Sequence, residues 1–246
     1  MTSHIDTLWE ETLTGEVTTE LPDFNIDEGQ QVQLEMLSRW ESQGEALAGY
    51  KIGLTSGRMR NAFGEGLRPF GYILKSRVLN SGDTLSINKV KKMGLENELV
   101  FRVAKDVQTD TITAEEAKAV LDGVAPGFEI NQYRMRSSSR GASIADNLSQ
   151  WGIVAGEFID LEQDFEALVV QLHKNSEVVQ ETAAKGHIDN HFESVAALIK
   201  RLSLFGRGLK AGQLLITGSY TRQAVEEPGS WRGNFGNMGN VHLEVQ

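Results

Sequence analysis

Cysteine is absent from the chain. Disulfide frameworks, thiolate zinc sites, iron–sulfur clusters and a cysteine nucleophile are therefore excluded, and any metal must be held by oxygen or imidazole. Basic residues are scarce beside acids: 24 Lys and Arg against 34 Asp and Glu leave a formal net charge of −10. Such a surface repels phosphate backbones and anionic lipid heads, so neither nucleic acid nor a membrane surface is an expected partner. No stretch approaches about 18 consecutive apolar residues, and Met1 to Glu20 is acidic and polar where a signal peptide would be basic and then apolar. The simplest expectation is a cytoplasmic protein. Proline is rare as well, with 4 residues against 25 glycines, which together with 40% hydrophobic content suits a compact chain with many tight turns. A length of 246 residues predicts one main domain behind an N-terminal appendage. The expected division is a helical or cap portion over residues 1–47 and a β-rich domain over 48–246.

The first 26 residues show no clean period, and Pro22, Asp23 and Asn25 read as a loop. Asp27 with Gln30 resembles a capping box, and Val32, Met36 and Trp40 then form an apolar stripe, predicting a helix over roughly 28–43. Residues 48–90 change to short apolar runs punctuated by glycine, the texture of strands and turns. In Glu96 to Val103 the alternation predicts a strand with Asn97, Leu99, Phe101 and Val103 toward the core and Glu96, Glu98, Val100 and Arg102 on the other face. Thr113 and Glu116 form a second capping box, opening a short helix with Ala117, Val120 and Leu121 inward and Gly123 as its stop. Further strands are expected near 126–134, 151–159, 166–173 and 213–219, with a helix over about 191–205. Runs of strands with single interspersed helices argue for an α+β or mainly β fold.

Three acids stand out chemically. Residues i and i+2 of a strand project to one face with Cα atoms about 6.5–7 Å apart, so Glu96 and Glu98 are able to converge on one cation. Glu129 lies between apolar neighbours, where a carboxylate is costly unless paired or bound to a metal. Without cysteine, three carboxylates suit a hard divalent ion such as Mg²⁺ or Mn²⁺. The competing reading is ordinary, because Glu-x-Glu on an exposed strand commonly does no more than solvate that face. Lys51 sits between Tyr50 and Ile52 in an otherwise apolar and glycine run; it either binds a substrate carboxylate and moves protons or snorkels from an edge. Arg58, Arg60 and Arg68 form one basic cluster and Arg134, Arg136 and Arg140 another, each suited to an anionic substrate or to balancing nearby acids. His187 and His191 have the spacing of helical metal ligands, but no Glu sits beside His187 as a zincin requires, so a surface or capping role is expected. No Gly-x-Ser-x-Gly elbow, Walker loop or dinucleotide fingerprint occurs.

Several blocks together resemble the fumarylacetoacetate hydrolase superfamily, in its 2-keto-4-pentenoate hydratase and 4-oxalocrotonate decarboxylase branch. They are Gly49-Tyr50-Lys51-Ile52-Gly53-Leu54-Thr55-Ser56, Leu95-Glu96-Asn97-Glu98-Leu99, Glu129-Ile130 followed by Arg134, Ile144-Ala145-Asp146-Asn147, Leu209-Lys210-Ala211-Gly212-Gln213 and Thr217-Gly218-Ser219. The resemblance runs in family order from about residue 27 to the C-terminus. It implies an α+β fold, mainly a mixed barrel-like sheet with a smaller N-terminal α/β portion, assembled as a homo-oligomer. It implies that Glu96, Glu98 and Glu129 hold Mg²⁺ or Mn²⁺, that Lys51 is catalytic and faces the substrate, and that Phe70, Asp146, Asn147 and Ser219 help bind it.

The implied activity is that of a metal-dependent lyase on a small 2-oxo or 2-hydroxydienoic acid from aromatic catabolism, with hydration of a 2-hydroxy-2,4-dienoate ahead of 4-oxalocrotonate-type decarboxylation. A non-catalytic 2-oxo acid binder and an acylpyruvate hydrolase are the alternatives. The chain departs from the family at Pro69, where hydratases tend to carry Asp and decarboxylases an apolar residue. It departs again at Ile188 after Gly186-His187, where Pro is usual, and at Gln132-Tyr133, where Asp-Ser is usual.

Overall fold

A computed structural model describes residues 2–16, 21–134 and 139–246. Two helices come first, α1 (Thr2–Thr14) and α2 (Ile26–Ser42), then β1 (Leu47–Ile52), β2 (Phe70–Leu74), β3 (Val78–Asn80), β4 (Thr84–Leu85) and β5 (Met93–Val103). The middle of the chain forms α3 (Ala114–Lys118), β6 (Leu121–Gln132), α4 (Arg140–Ala145), β7 (Gln150–Ala155), β8 (Val169–Lys174) and β9 (Glu177–Ala183). It ends with α5 (His191–Ser203), β10 (Leu214–Ser219), β11 (Gln223–Ala224), β12 (Gly229–Asn234) and β13 (Asn240–Val245).

The strands make two mixed sheets, one ordered β2-β1-β10-β5-β6-β7-β3 with β11 beside β5, the other β4-β13-β12-β8-β9. The fold is thus α+β and mainly β, as the resemblance implied. The larger sheet curls without closing into a barrel. Its two outer strands, β2 and β3, are consecutive in the chain: residues 70–74 pair with β1, residues 78–80 pair with β7, and the turn Lys75–Arg77 interrupts the ladder. Asn147 bridges that interruption. Its side-chain oxygen accepts from Tyr72 N–H at 2.8 Å, and its amide donates to the Tyr72 carbonyl at 3.0 Å and the Gln150 carbonyl at 3.1 Å. One carboxamide thereby supplies the donor and acceptor that a neighbouring strand would offer.

Both faces of β5 are buried, where the alternation predicted one. Leu95, Leu99, Phe101 and Val103 enter the main core with Phe128, Trp231, Val241 and Leu172 between the sheets. On the inner side of the curled sheet, Val100 packs with Ala48, Ile73, Ile153 and Ile216, next along the strand face that carries Glu96 and Glu98. Helix α2 anchors this arrangement through two buried amides. Gln30 Nε2 donates to Gln33 Oε1 at 2.7 Å, and Gln33 Nε2 donates to the carbonyls of Phe70 and Ile144 at 2.7 and 3.0 Å. The helix thus sets the positions of β2 and α4, from which the chain runs directly into Asn147.

Local expectations shift in four places. Helix α1 occupies the segment read as aperiodic; it buries Leu8 and Trp9 against α2, with Trp9 edge-on to Trp40 at 4.9 Å, and so narrow a stripe forms through packing more than propensity. The capping box of α2 is Asn25 with Glu28, not Asp27 with Gln30, because Gln30 is spent in the buried amide pair. The Thr113–Glu116 box forms as expected, but the chain enters β6 at Leu121, so Gly123 lies within a strand opposite Arg102 and stops no helix. His191 is buried rather than at the surface, packed among Phe101, Phe165 and Tyr220.

Asn147→Ala should lower stability by about 2–4 kcal/mol in urea unfolding, since each buried backbone group left unpaired costs about 1–3 kcal/mol; a loss below about 1 kcal/mol would mean that the sheet edges are joined otherwise. Burial lowers the His191 pKa to about 4. An imidazole with a folded value below its ordinary 6.5 contributes stability that is complete above pH 6.5 and is lost as the pH falls toward 4. The His191 ring protons should therefore show an NMR titration midpoint near 4, and a midpoint above 6 would contradict its burial as neutral imidazole.

Candidate active site

Register places the three acids. Glu96 of β5 stands directly across from Glu129 of β6, and Glu98 follows two residues along on the same face, opposite Gly127. One carboxylate oxygen from each lies within 4.8 Å of the others. All three residues are sequestered, with exposures of 2%, 2% and 0% for Glu96, Glu98 and Glu129. Each has a distinct partner. Glu98 Oε2 accepts from the Gly218 N–H at 2.7 Å, Glu129 Oε1 accepts from Lys51 Nζ, and Glu96 Oε1 accepts from Arg222 Nε at 2.5 Å and the Tyr133 hydroxyl at 3.2 Å.

Glycine makes two of these contacts possible. Gly218 has φ +133°, and a Cβ there would lie 2.1 Å from Thr55 Oγ1, so a side chain at this position would push the amide away from Glu98. Lys51 lies beside Gly71 of β2, where an added Cβ would come within 2.9 Å of Lys51 Cγ. The Lys51 ammonium also donates to the Leu148 carbonyl at 3.2 Å. That carbonyl belongs to three successive left-handed residues, Asn147, Leu148 and Ser149, with φ of 54°, 52° and 62°. Non-glycine residues adopt this conformation at a cost, and here the Asn147 bridge holds it beside the site.

Electrostatics explain why the cluster needs positive charge. Burial, then the charges of Glu129 and Glu96, push the Glu98 carboxyl well above its ordinary value of 4.5. Burial also raises Glu129, although the Lys51 ammonium opposes this. Burial and the Glu96 charge raise the Tyr133 phenol, keeping it a neutral donor. Glu129 Oε2 is buried with no hydrogen-bond partner. A partnerless buried carboxylate oxygen, in a set of three hard oxygen donors, fits a divalent cation such as Mg²⁺ or Mn²⁺.

These groups form the base of a cavity of about 1170 Å³ whose wall includes Thr55, Arg58, His187, Ser219 and Arg222. Lys51, the three acids and Ser219 are therefore brought together. Phe70, Asp146 and Asn147 are not among the cavity-lining residues. Phe70 turns its ring onto Tyr50 and Phe205, Asp146 pairs with Arg134, and Asn147 bridges the sheet edges. Of the arginines, Arg60 and Arg68 both pair with Asp189, and Arg140 donates to the Phe63 carbonyl. Arg58 reaches the cavity, and Arg136 lies outside the described residues. His187 precedes α5 instead of lying on it, so the spacing to His191 is not helical; its Nε2 lies 3.2 Å from the Ser219 carbonyl. Arg222, Tyr133, Asn131 and Gln180 were not singled out as site residues. Tyr133 and Arg222 flank recognised blocks, but only the folded rim brings them to Glu96.

No protein-family model matches the chain. Among curated proteins, the 2-hydroxyhexa-2,4-dienoate hydratase of Comamonas testosteroni is 30% identical over 218 residues, covering 82% of this chain and 79% of that protein. The 4-oxalocrotonate decarboxylase of Pseudomonas sp. (strain CF600) is 26% identical over 219 residues, covering 87% and 82%. Among solved structures, the 4-oxalocrotonate decarboxylase of Pseudomonas putida G7, complexed with magnesium and adipate, superposes with a TM-score of 0.91 at 21% identity, covering 99% of this chain and 96% of that one.

Because Glu98 is raised above 4.5, the metal-free protein should lose stability as the pH rises through that shifted value, while cation binding requires the ionised form. Mg²⁺ should thus raise the melting temperature more at pH 8 than at pH 5.5. Glu98→Gln should raise the metal-free melting temperature by relieving repulsion and should abolish the response to Mg²⁺; a retained response would refute the site.

Proposed function

Because this chain belongs to the fumarylacetoacetate hydrolase superfamily, in the branch of 2-keto-4-pentenoate hydratases and 4-oxalocrotonate decarboxylases, we propose that it is a divalent-metal-dependent lyase of a small 2-oxo or 2-hydroxydienoic acid. Hydration of a 2-hydroxy-2,4-dienoate, as in aromatic catabolism, is the leading reaction. The observation that carries this reading is the buried triad Glu96, Glu98 and Glu129 with Lys51 at the base of one cavity. Glu96, Glu98 and Glu129 would hold Mg²⁺ or Mn²⁺, and the ion, when bound, supplies Lewis acidity toward the substrate's C2 oxygen and carboxylate.

The residues handle protons and water. Hydration requires a proton at C5 of the dienol, giving an enone, and then water at C4. Lys51, the one lysine in the cavity wall among the described residues, holds the proton for the carbon step at Nζ, directed by Glu129 Oε1 and the Leu148 carbonyl. Ser219 and Thr55 offer hydroxyls along the wall. Decarboxylation stands second, and Pro69 favours it. Its carbonyl accepts from the Gly53 N–H at 2.8 Å and its ring has no proton to transfer, so the carboxyl that hydratases tend to place here is missing. Losing CO₂ demands less of an added acid or base than adding water does.

Residues 1–47 act as a helical cap on a catalytic domain spanning 48–246, a division supported by the separate apolar cluster that α1 and α2 form on β2. A cytoplasmic homo-oligomer is consistent with the net charge of −10 and with the exposed Val178 and Val179 on the outer strand β9. No helix among the described residues is long and apolar enough to cross a membrane.

The test is an assay of Mg²⁺-loaded protein with 2-hydroxypenta-2,4-dienoate and with 2-oxohex-3-enedioate, following chromophore loss and CO₂ release. Hydration removes the dienol absorbance without CO₂, whereas decarboxylation releases it. Lys51→Met should lower kcat by about 10²-fold or more, the scale of a lost general acid. Turnover of neither acid by protein that binds Mg²⁺ would overturn the lyase assignment.

A further inference from the structure

Two cations rest on the three carboxylates, and they differ in freedom. The Lys51 side chain is 10% exposed, whereas that of Arg222 is 56% exposed although its partner Glu96 is 3% exposed. The Arg222 backbone is fixed from β9: its N–H donates to Gln180 Oε1 at 2.9 Å, and Gln180 Nε2 donates to its carbonyl at 2.5 Å. The guanidinium rests on Tyr133, with Cζ 5.9 Å from the ring centroid, and pairs with no acid but Glu96 among the described residues. It is a clamped backbone carrying a half-exposed head group at the cavity rim. Arg58 lines the same cavity and has no ion pair among the described residues.

The charge count shows what a metal would change. In the fully ionised form that cation binding requires, three carboxylates with Lys51 and Arg222 sum to −3 + 2 = −1. A dication brings the same set to +1, and like charges crowded at short range repel. Of the two resident cations, Lys51 is enclosed by the sheet, so Arg222 is the one that can leave. Glu96 Oε1, which accepts from Arg222 Nε, belongs to the triad whose oxygens converge, so the guanidinium and the metal compete for one carboxylate.

We propose that Arg222 holds the place of the divalent cation on Glu96 and, once displaced, receives a second anionic group at the far end of the substrate. The site thereby binds metal before acid and selects dicarboxylic over monocarboxylic 2-oxo acids. This inference rests on the metal-dependent reading above. The guanidinium suits it, because its Nε alone is spent on Glu96 and its remaining N–H groups form a fork that fits a second carboxylate. Arg222 is then a specificity-determining residue, and its contribution to metal affinity is negative.

Calorimetric titration of Mn²⁺ into wild type and Arg222→Gln, with no organic acid present, tests the first half. The variant should bind Mn²⁺ about two- to fivefold more tightly, the scale of one half-exposed ion pair removed as a competitor. With Mn²⁺ saturating, titration of 2-oxoadipate and 2-oxobutyrate tests the second half. Wild type should favour the diacid by about tenfold or more, as charge-assisted hydrogen bonds do, and Arg222→Gln should lose that preference while keeping its affinity for the monoacid. Equal or weaker Mn²⁺ binding by the variant would show that Arg222 supports Glu96 rather than competing for it, and an unchanged diacid preference would remove its role as receptor; either result overturns the proposal. Mn²⁺ binding by neither protein would overturn the metal reading itself, and this inference with it.

Discussion

The β5–β6 register sets Glu96 across from Glu129 and carries Glu98 to the same face, inside a curled sheet where all three are buried. Like charges directly opposite in a ladder destabilise it, and burial multiplies the cost. Much of the surrounding architecture answers that one problem. Gly218 turns a backbone N–H to Glu98, β1 brings an ammonium to Glu129, and the rim brings a guanidinium to Glu96. What remains unsatisfied, the Glu129 Oε2 atom and the residual negative charge, is the property that makes the cluster a cation site.

Holding Lys51 against Glu129 depends in turn on a sheet that is almost a barrel. The Asn147 carboxamide joins β2 to the start of β7, and the next carbonyl along the chain, from Leu148, accepts from Lys51. The same turn is braced from below, where Arg134 Nε donates to Asp146 at 2.7 Å and Arg134 Nη2 donates to Thr12 of α1 at 2.6 Å. Asp146 and Asn147 thus serve the site through geometry. An enzyme that must keep an ammonium beside a carboxylate without losing either charge gains from such rigid support.

Much of the site was legible because its residues break local rules. A Glu-x-Glu pair inside an apolar strand, a Glu between Phe128 and Ile130 and a Lys beside Tyr50 are each costly unless used, and that cost is visible in one dimension. Period-based reading also found α2, β5, α5 and β10, whose apolar stripes are long or strongly alternating. It passed over α1, whose buried contacts centre on Leu8 and Trp9, and the strands β12 and β13, where Gly229, Gly233 and Gly239 dilute the pattern. Phe70 was expected in the pocket, yet its ring packs against Tyr50 and Phe205, because adjacent strand positions face opposite ways and the register decides which face is which.

By itself, the sequence determined the chemical class: no thiols, hard oxygen donors, a lysine within an apolar and glycine run, an acidic composition unsuited to polyanions, and an ordered set of blocks resembling one superfamily. These follow from residue identity, which does not depend on folding. Only the tertiary structure decided which oxygen meets which cation. That Arg222 reaches Glu96 across 126 positions of sequence, that His191 is sealed among aromatic rings, and that Asn147 bridges two sheet edges instead of lining the cavity are all consequences of the tertiary fold. Local sequence carries no record of them, because the partners become neighbours only through pairings between distant segments: β11 on β5 for Arg222, α5 on the core for His191, and the approach of the two sheet edges for Asn147.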